Sequence, residues 1–232
     1  MFVVEGVRAS EELVKSPLEL VGALVSPQLS TTPRGASLRT ALASRGTEIA
    51  DVTEPEFESA AETETPQGIL VIAVTPKRSL DAVAAADPSL VLVLDAVQDP
   101  GNVGTLIRTA AGLGATATVA LPGTVDLWNA KVVRSAMGAH FLHSAFHCTW
   151  DELRLFLDET RMPLWGADAG GVPVERTSAP RRLALAVGNE GAGLSAHVRG
   201  ACAQLVSLPL DPGVESLNVA VAAGILLYEL RA

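Results

Sequence analysis

The sequence predicts an α/β protein in which a mostly parallel sheet follows a smaller α/β unit. From residue 90 onward, runs rich in Val, Leu and Ala alternate with helical segments, as in parallel sheets covered on both faces. The stretch at residues 76–88 contains two prolines and an Ala-rich patch and separates this part from an earlier, shorter alternation. We therefore expect a small domain at residues 1–75, a linker at 76–88 and a larger domain at 89–232.

The small unit has two predicted helices and two strand-like runs, in the order helix 11–19, strand 20–25, helix 33–44 and strand 67–74. Ser10 is expected to cap the first helix, and Gly46 to end the second. Residues 48–52 are polar and acidic. These elements suit a compact α/β unit.

The larger unit has strands and helices in regular succession, with strands at 90–94, 116–120, 163–167 and 183–187 and helices at 103–113, 131–137 and 150–160. A last helix, residues 219–227, is apolar nearly all round. Such a helix must be buried in the core or at a subunit contact.

Charge argues against non-specific binding of nucleic acid. The net charge is −9; residues 1–75 carry five basic against eleven acidic side chains, and residues 76–232 carry 12 against 15. A local basic surface remains open, with the candidates Arg108, Lys131, Arg134, Arg181 and Arg182.

The chain is expected to be soluble and cytoplasmic, with no membrane partner. Its start lacks the basic segment of a signal peptide, and its longest apolar run, residues 219–228, falls short of the roughly 20 residues that span a bilayer. Cys148 and Cys202 lack the spacing of a disulfide framework or a zinc site, so both are expected to be free thiols.

The sequence offers little support for a metal site or for the active site of a hydrolase. His140, His143 and His147 could share a helix face, but apolar residues separate them and neither a carboxylate nor a second cysteine completes a set of ligands. No metal is therefore expected. The sequence also lacks a Ser-His-Asp order, paired catalytic carboxylates and a G-x-S-x-G motif.

The first candidate motif, residues 99–108, follows the strand that ends at Asp95. Its Asp-Pro-Gly-Asn turn leads into a helix, and Asn102 is a suitable N-cap. Arg108 stands in the second turn of a helix that is otherwise small and apolar. It either extends into solvent or positions a phosphate or ribose.

The second motif, residues 188–195, has three glycines in the order G-x-x-G-x-G directly after a strand. This order matches neither the dinucleotide fingerprint nor the P-loop, so NAD and ATP are disfavoured. The backbone of such a loop can approach a ligand closely, and Ser195 is placed to cap the next helix. Glu190 is expected to have a partner, because an unpaired carboxylate in a tight glycine loop is costly.

The third motif, residues 208–218, leads into the apolar last helix. Ser216 is a candidate cap for that helix. Asn218 stands beside it at the mouth of the helix, so both polar side chains are expected to contact a ligand or another loop.

Taken together, residues 99–110, 188–195 and 212–228 resemble the three signature motifs of the SpoU (TrmH) family of RNA ribose 2′-O-methyltransferases, and residues 131–138 resemble the family's segment between the first two. The resemblance implies a SPOUT-superfamily α/β domain with a deep C-terminal trefoil knot, a rare exception to unknotted topology. It further implies S-adenosylmethionine as cofactor, bound bent within the knot, and a homodimer with sites at the subunit contact.

Carried over by position, the resemblance gives the catalytic candidates Arg108, Asn102, Glu190, Ser216 and Asn218. The cofactor loops are then residues 167–170, 188–191 and 208–218, with the contacts Ala167, Gly188, Asn189, Gly191, Leu208, Leu210, Ser216 and Leu217. Arg108 matches the arginine thought to activate the ribose hydroxyl. Since an arginine stays protonated, we assign it to lowering the pKa of that hydroxyl, with an RNA phosphate as proton acceptor.

Residues 1–75 resemble the small ribosomal-protein-like RNA-binding domain that often precedes this catalytic domain, although their net acidity departs from it. Relatives usually carry a basic helix before the run at residues 2–8, so the domain is expected to be incomplete at its N-terminus. The resemblance implies methyl transfer to a ribose 2′-hydroxyl, in ribosomal RNA ahead of transfer RNA. The alternative is an RNA-binding or assembly factor that has lost the chemistry. The presence of Arg108, Glu190 and Asn218 argues against it, and the acidic first domain argues for it.

Overall fold

Two sheets organise the computed structural model, which describes residues 1–231. The first sheet has four strands in the order β1-β4-β2-β3, and the second has six in the order β10-β8-β9-β5-β6-β7. In the second sheet every neighbouring pair is parallel. The α/β class and the mostly parallel sheet predicted from the sequence are confirmed.

The small sheet and its helices occupy residues 2–73, in the order β1 (Phe2–Glu5), α1 (Val7–Lys15), β2 (Leu20–Val25), α2 (Pro33–Ser44), β3 (Glu48–Asp51), α3 (Glu54–Ala60) and β4 (Ile69–Ala73). Strand β4 runs antiparallel to β1 and β2, whereas β3 runs parallel to β2. A short 3-10 helix, Pro27–Thr31, follows β2.

The larger unit continues as α4 (Asp81–Ala84), β5 (Ser89–Asp95), α5 (Pro100–Gly112), β6 (Ala117–Ala120), α6 (Ala130–Ser135), α7 (Ala139–Leu142), β7 (Ala145–His147), α8 (Trp150–Thr160), β8 (Leu164–Pro173), β9 (Arg182–Gly188), α9 (Ala196–Ala201), β10 (Gln204–Ser207) and α10 (Val219–Leu230). A 3-10 turn at Val174–Arg176 follows β8. Every residue of β5 is buried, because helices cover both faces of the sheet.

The prediction for the start of the first helix is wrong. Helix α1 begins at Val7, so Ser10 is a buried interior residue of the helix and not its cap. Within the acidic stretch, residues 48–51 form β3, because their backbone pairs with β2. The segment between the sheets, residues 76–88, contains α4, in which Val83 is buried.

The two units share a hydrophobic core. Val133 of α6 and Phe141 of α7 are buried in the same cluster as Phe2 and Leu13 of the small unit. The rings of Phe2 and Trp128 lie 4.4 Å apart between centroids. The small unit is therefore packed onto the larger one through α6, α7 and the segment before them.

Helix α6 in turn fixes α5. Gly104 of α5 faces α6 so closely that an added Cβ would lie 2.4 Å from the Cβ of Ser135 and 2.6 Å from the carbonyl oxygen of Val132. Only a glycine permits this approach. The contact sets the position of the helix that carries Asn102 and Arg108.

The three histidines of the sequence cluster have separate surroundings. His140 is fully buried against Trp128, His143 is hydrogen-bonded to Thr118 at 2.9 Å, and His147 accepts from the backbone of Leu127 at 3.2 Å. Burial lowers the pKa of His140 to about 3 and that of His143 to about 4.

Within residues 1–231, three or more His, Cys, Asp or Glu side chains do not come together in a way that would hold a metal ion. Over the same residues, each helix is too short or too polar to cross a lipid bilayer.

Candidate functional site

Three loops meet at the edge where the parallel strands β5, β9 and β10 end. Residues 96–99 follow β5, residues 189–195 follow β9 and residues 208–218 follow β10. Strands β5 and β9 are direct neighbours, with Asp95 opposite Gly188. Ligands of open α/β sheets bind at this edge, beyond the carboxyl ends of the strands.

A chain of side-chain hydrogen bonds joins the three loops. The Nδ2 of Asn102 donates to Oε1 of Glu190 at 3.0 Å, and the Nδ2 of Asn218 donates to Oδ1 of Asn102 at 2.9 Å. These partners are 88 and 116 residues apart in sequence. The structure thus brings together Asn102, Glu190 and Asn218, one candidate from each motif.

The backbone of α10 fixes the direction of this chain. The Oδ1 of Asn218 accepts from the amides of Ala220 and Val221, so its Nδ2 must be the group that donates to Asn102. Asn102 accepts with its oxygen and is left to donate with its nitrogen. Glu190 therefore accepts, as an ionised carboxylate does.

The caps of α5 and α10 differ from those expected. Asp99 caps α5 by accepting from the amide of Asn102 at 2.7 Å, which leaves the Asn102 side chain free for the site. Asn218 caps α10, so Ser216 does not. Ser216 is exposed and forms no hydrogen bond with residues 1–231. Ser195 holds the N-cap position of α9, but its side chain makes no capping bond.

Arg108 lies in a groove of about 750 Å³ between α5 and α10. Asn102 and Asn218 line the same groove, together with apolar residues of α10. The Arg108 side chain is exposed and forms no ion pair with the residues that the structure describes. Its guanidinium is available to a ligand that enters the groove.

The glycine loop is folded back on itself. Asn189 and Gly193 form a two-residue bridge, and the Oδ1 of Asn189 accepts from the amides of Gly191 and Ala192, each at 3.0 Å. A Cβ on Gly188 would lie 2.2 Å from the carbonyl carbon of Gly193, so this position requires glycine. Asn189 therefore shapes the loop through its side chain.

The segment expected to be a cofactor loop, residues 167–170, lies inside β8. The pairing with β10 jumps from Gly166 opposite Leu205 to Val172 opposite Val206, so residues 167–171 leave the ladder between two paired stretches. Asp168 in this excursion is bound by the guanidinium of Arg199, which holds the pKa of the carboxyl below its usual range.

The remaining cofactor candidates suit a ligand that is partly apolar. Leu208 and Leu217 are half-buried, and Leu210 is 37% exposed. All three belong to the loop after β10, at the edge where the glycine loop opens. Apolar side chains beside accessible loop backbone fit a cofactor with an adenine ring and a polar tail. These contacts stay a prediction.

The two cysteines take no part in this geometry. Both are half-buried free thiols. Burial raises the pKa of Cys148 to about 12 and that of Cys202 to about 11, so neither is a reactive thiolate near neutral pH.

Sequence reasoning missed two acidic residues. Asp99 is the true cap of α5, and the Asp-Pro order, a cap followed by proline at the first helical position, was the signal that pointed to it. Asp95 is buried at the end of β5 and accepts from the amide of Ser195 at 2.7 Å. Asp95 and Ser195 are 100 residues apart, and no sequence pattern predicts a contact over that separation.

Two family models match the chain. The model of the SpoU rRNA Methylase family matches residues 89–228, and that of the MRM3-like substrate binding domain matches residues 1–71. The first match covers more than half of the chain.

Named relatives agree with these matches. The chain is 38% identical to the 23S rRNA (guanosine(2553)-2′-O)-methyltransferase RlmP of Bacillus subtilis over 99% of this chain and 88% of that protein. It is 36% identical to the 23S rRNA (guanosine-2′-O-)-methyltransferase RlmB of Bordetella pertussis over 68% of each chain.

Among solved structures, the SpoU methyltransferase AviRb of Streptomyces viridochromogenes, in complex with the cofactor AdoMet, superposes with a TM-score of 0.90. It is 28% identical and the match covers 99% of this chain and 88% of that one. Motifs, fold and relatives agree, and the chain belongs to the SpoU rRNA methylase family.

Proposed function

We propose that this protein transfers the methyl group of S-adenosylmethionine to a ribose 2′-hydroxyl of 23S ribosomal RNA. The observation that carries the proposal is that Asn102 and Asn218 line the groove that holds Arg108, while Glu190 accepts a hydrogen bond from Asn102. Relatives named as 23S rRNA 2′-O-methyltransferases support the reaction and the substrate class.

The cofactor supplies an electrophilic methyl group on a sulfonium. A ribose hydroxyl is a poor nucleophile near neutral pH, so the protein must favour its loss of a proton. The Arg108 guanidinium donates hydrogen bonds to the 2′-oxygen and stabilises the developing negative charge, while an RNA phosphate takes the proton. Arg108 has no acidic neighbour within ion-pairing distance among residues 1–231, so its full charge serves this role.

The directed chain of amides positions the loops around the reacting atoms. Because α10 fixes Asn218, and Asn218 fixes Asn102, the Glu190 carboxylate is held at a set place in the glycine loop. Ser216 and the backbone of residues 188–191 lie at the same edge and complete the proposed site. Preorganised groups of this kind lower the cost of reaching an in-line geometry.

We divide the chain into an RNA-binding domain at residues 1–75, a connection at 76–88 and a methyltransferase domain at 89–232. Most cations of the first domain already have partners. Arg34 pairs with Glu11, Arg39 pairs with Asp51, and Arg45 donates to three backbone carbonyls. The larger domain therefore supplies most phosphate contacts, and the first domain recognises the shape of the RNA.

The proposal includes a homodimer and a trefoil knot. Val221, Ile225 and Tyr228 form an apolar stripe on α10 and are 52%, 41% and 54% exposed. This stripe (residues 221, 225 and 228) borders the groove of Arg108, and an exposed apolar patch of this kind suits a subunit contact. The knot is proposed from family membership. A cytoplasmic location follows from the proposed ribosomal substrate.

Transfer RNA is the second candidate. A solved structure concerned with 2-OH methylation of C/U34 on tRNA matches only 62% of this chain, with 26% identity and a TM-score of 0.54. The RlmP relative is matched over 99% of the chain, including the first domain. This difference favours ribosomal RNA.

The test is transfer of labelled methyl groups to purified 23S rRNA and, separately, to bulk tRNA. We expect incorporation into 23S rRNA, and its loss by at least about 100-fold in Arg108→Ala, with cofactor binding retained. Arg154→Ala, which removes an exposed cation on α8, is the matched control and should stay active. Cofactor binding without transfer to either RNA would favour the non-catalytic assembly factor.

A further inference from the structure

The carboxyl end of β5 holds a buried acid beneath the glycine loop. Asp95 is 2% exposed, and its Oδ2 accepts from the backbone amide of Ser195 at 2.7 Å. This is the only hydrogen bond of its carboxylate to residues 1–231. Asp95 also lies directly opposite Gly188, where the loop begins. The backbone of Asp95 thus lies beside the start of the loop, and its side chain binds the end of the loop.

The next residue holds the middle of the same loop. The carbonyl oxygen of Ala96 accepts from Nδ2 of Asn189 at 3.0 Å, and the other end of that amide binds Gly191 and Ala192. Ala96 has a φ of 57°, which a residue with a side chain rarely adopts. Its Cβ packs 3.0 Å from the place where a Cβ on Gly123 would stand, so Gly123 gives it room.

Both features are costly to the fold. A buried carboxylate with one backbone partner loses much of its hydration, and a left-handed alanine costs on the order of 1 kcal/mol or more. Asp95 and Ala96 are adjacent, and both bind the same loop. We therefore infer that these two costly features maintain the shape of the loop and not the stability of the strand.

We propose that Asp95 is a positioning residue that holds residues 188–195 in their binding shape before S-adenosylmethionine arrives. The inference rests on the proposed function only in naming the cofactor. The loop is joined at Ser195 to Asp95, the last residue of β5, and at Asn189 to Ala96, the residue that follows β5. It is also joined at Glu190 to Asn102 of α5. A loop ordered in advance does not have to be ordered on binding, so its affinity is higher.

The first test measures cofactor affinity by calorimetry in the full chain. Asp95→Ala removes the acceptor, and we expect the Kd for S-adenosylmethionine to rise at least about 10-fold, or about 1.4 kcal/mol. Asp95→Asn keeps a carbonyl oxygen that can accept from Ser195, so it should stay within about 3-fold of the unaltered protein. Equal affinity in Asp95→Ala and the unaltered protein would overturn the proposal, as would an equal loss in both variants.

The matched control is Glu5→Ala. Glu5 is likewise a buried carboxylate, 5% exposed, that accepts from the backbone amide of Glu62 at 3.0 Å, but it lies in the small unit. We expect this variant to lose thermal stability without any change in cofactor affinity. A matching loss of affinity in Glu5→Ala would mean that general destabilisation explains the effect, and the assignment of Asp95 would fail.

The second test needs no variant and no bound cofactor. Hydrogen exchange of the unaltered protein should show the amide of Ser195 protected in the absence of S-adenosylmethionine, because Asp95 already holds it. Protection that develops only after cofactor is added would contradict the proposal. If calorimetry finds that the unaltered protein does not bind the cofactor, the proposed function fails, while exchange at Ser195 still decides whether Asp95 orders the loop.

Discussion

Replacing Gly104 by alanine tests the contact that sets the position of α5, the helix that carries Asn102 and Arg108. The new Cβ would lie 2.4 Å from the Cβ of Ser135, 2.6 Å from the carbonyl oxygen of Val132 and 3.0 Å from the amide nitrogen of Ala136. Two of these atoms belong to the backbone of α6 and of its C-cap residue, Ala136, and cannot rotate away. Helices α5 and α6 must therefore separate by roughly 1 Å to restore an ordinary contact.

The cost follows from two opposing effects. Overpacking of this kind destabilises by about 1–3 kcal/mol, and contacts with backbone put Gly104→Ala at the upper end. Alanine in a helix recovers roughly 1 kcal/mol relative to glycine. We therefore expect a net loss of about 2 kcal/mol in the free energy of unfolding, which corresponds to a Tm lower by about 4–8 °C for a chain of this size.

Thermal and urea unfolding measure this difference, with Gly200→Ala of α9 as the matched control. No atom outside the immediate backbone lies within 4 Å of a Cβ at Gly200, so this variant should be as stable as the unaltered protein or more so. Methyl transfer should fall more steeply in Gly104→Ala than stability does, because Asn102 and Arg108 move with α5. Equal stability of the two variants would refute the close contact between α5 and α6.

Three further changes have defined outcomes. In the unfolded chain His140 takes up a proton below about pH 6.5, whereas in the folded protein it does so only near pH 3, so the fold loses stability as the pH falls between these values. The free energy of unfolding of His140→Phe, relative to that of the unaltered protein, should therefore rise by about 2 kcal/mol when the pH falls from 7 to 5, and a pH-independent difference would contradict this. Ile225→Glu should convert the proposed dimer to a monomer in light scattering. Leu155 of α8 is 58% exposed, and Leu155→Glu should leave the mass unchanged; a monomeric unaltered protein would contradict the proposed dimer. Asn102→Asp sets a second carboxylate against Glu190 and should lower methyl transfer at least about 10-fold with little change in Tm, and full activity would remove the amide chain from the mechanism.

Sequence patterns predicted the elements that are marked by their own residues, either by an unbroken apolar run or by proline and glycine at the ends. Strand β5 is buried on both faces and therefore appears as an unbroken apolar run. Helix α2 was predicted with its observed bounds, because proline stands at its start and glycine follows its end. Family resemblance, and not composition, supplied the cofactor and the substrate class.

The remaining features depend on contacts that local sequence does not contain. Asp99 and Asn102 are both good caps, and only the completed helix decides that Asp99 caps it. Because α10 is apolar on all sides, its sequence has no periodicity to separate the buried face from the exposed stripe. The partners of Glu190 and Asp95 lie about 90 to 100 residues away, so the sequence indicated that Glu190 needs a partner but not which one.

Mapping the methylated position on 23S rRNA tests the central claim most directly, since a 2′-O-methyl group blocks alkaline cleavage at its own linkage. We expect one protected linkage after incubation with the protein and S-adenosylmethionine, absent with Arg108→Ala and retained with Arg154→Ala. A methyl group on a base, or protection that persists without Arg108, would contradict a site in which the guanidinium activates a ribose hydroxyl.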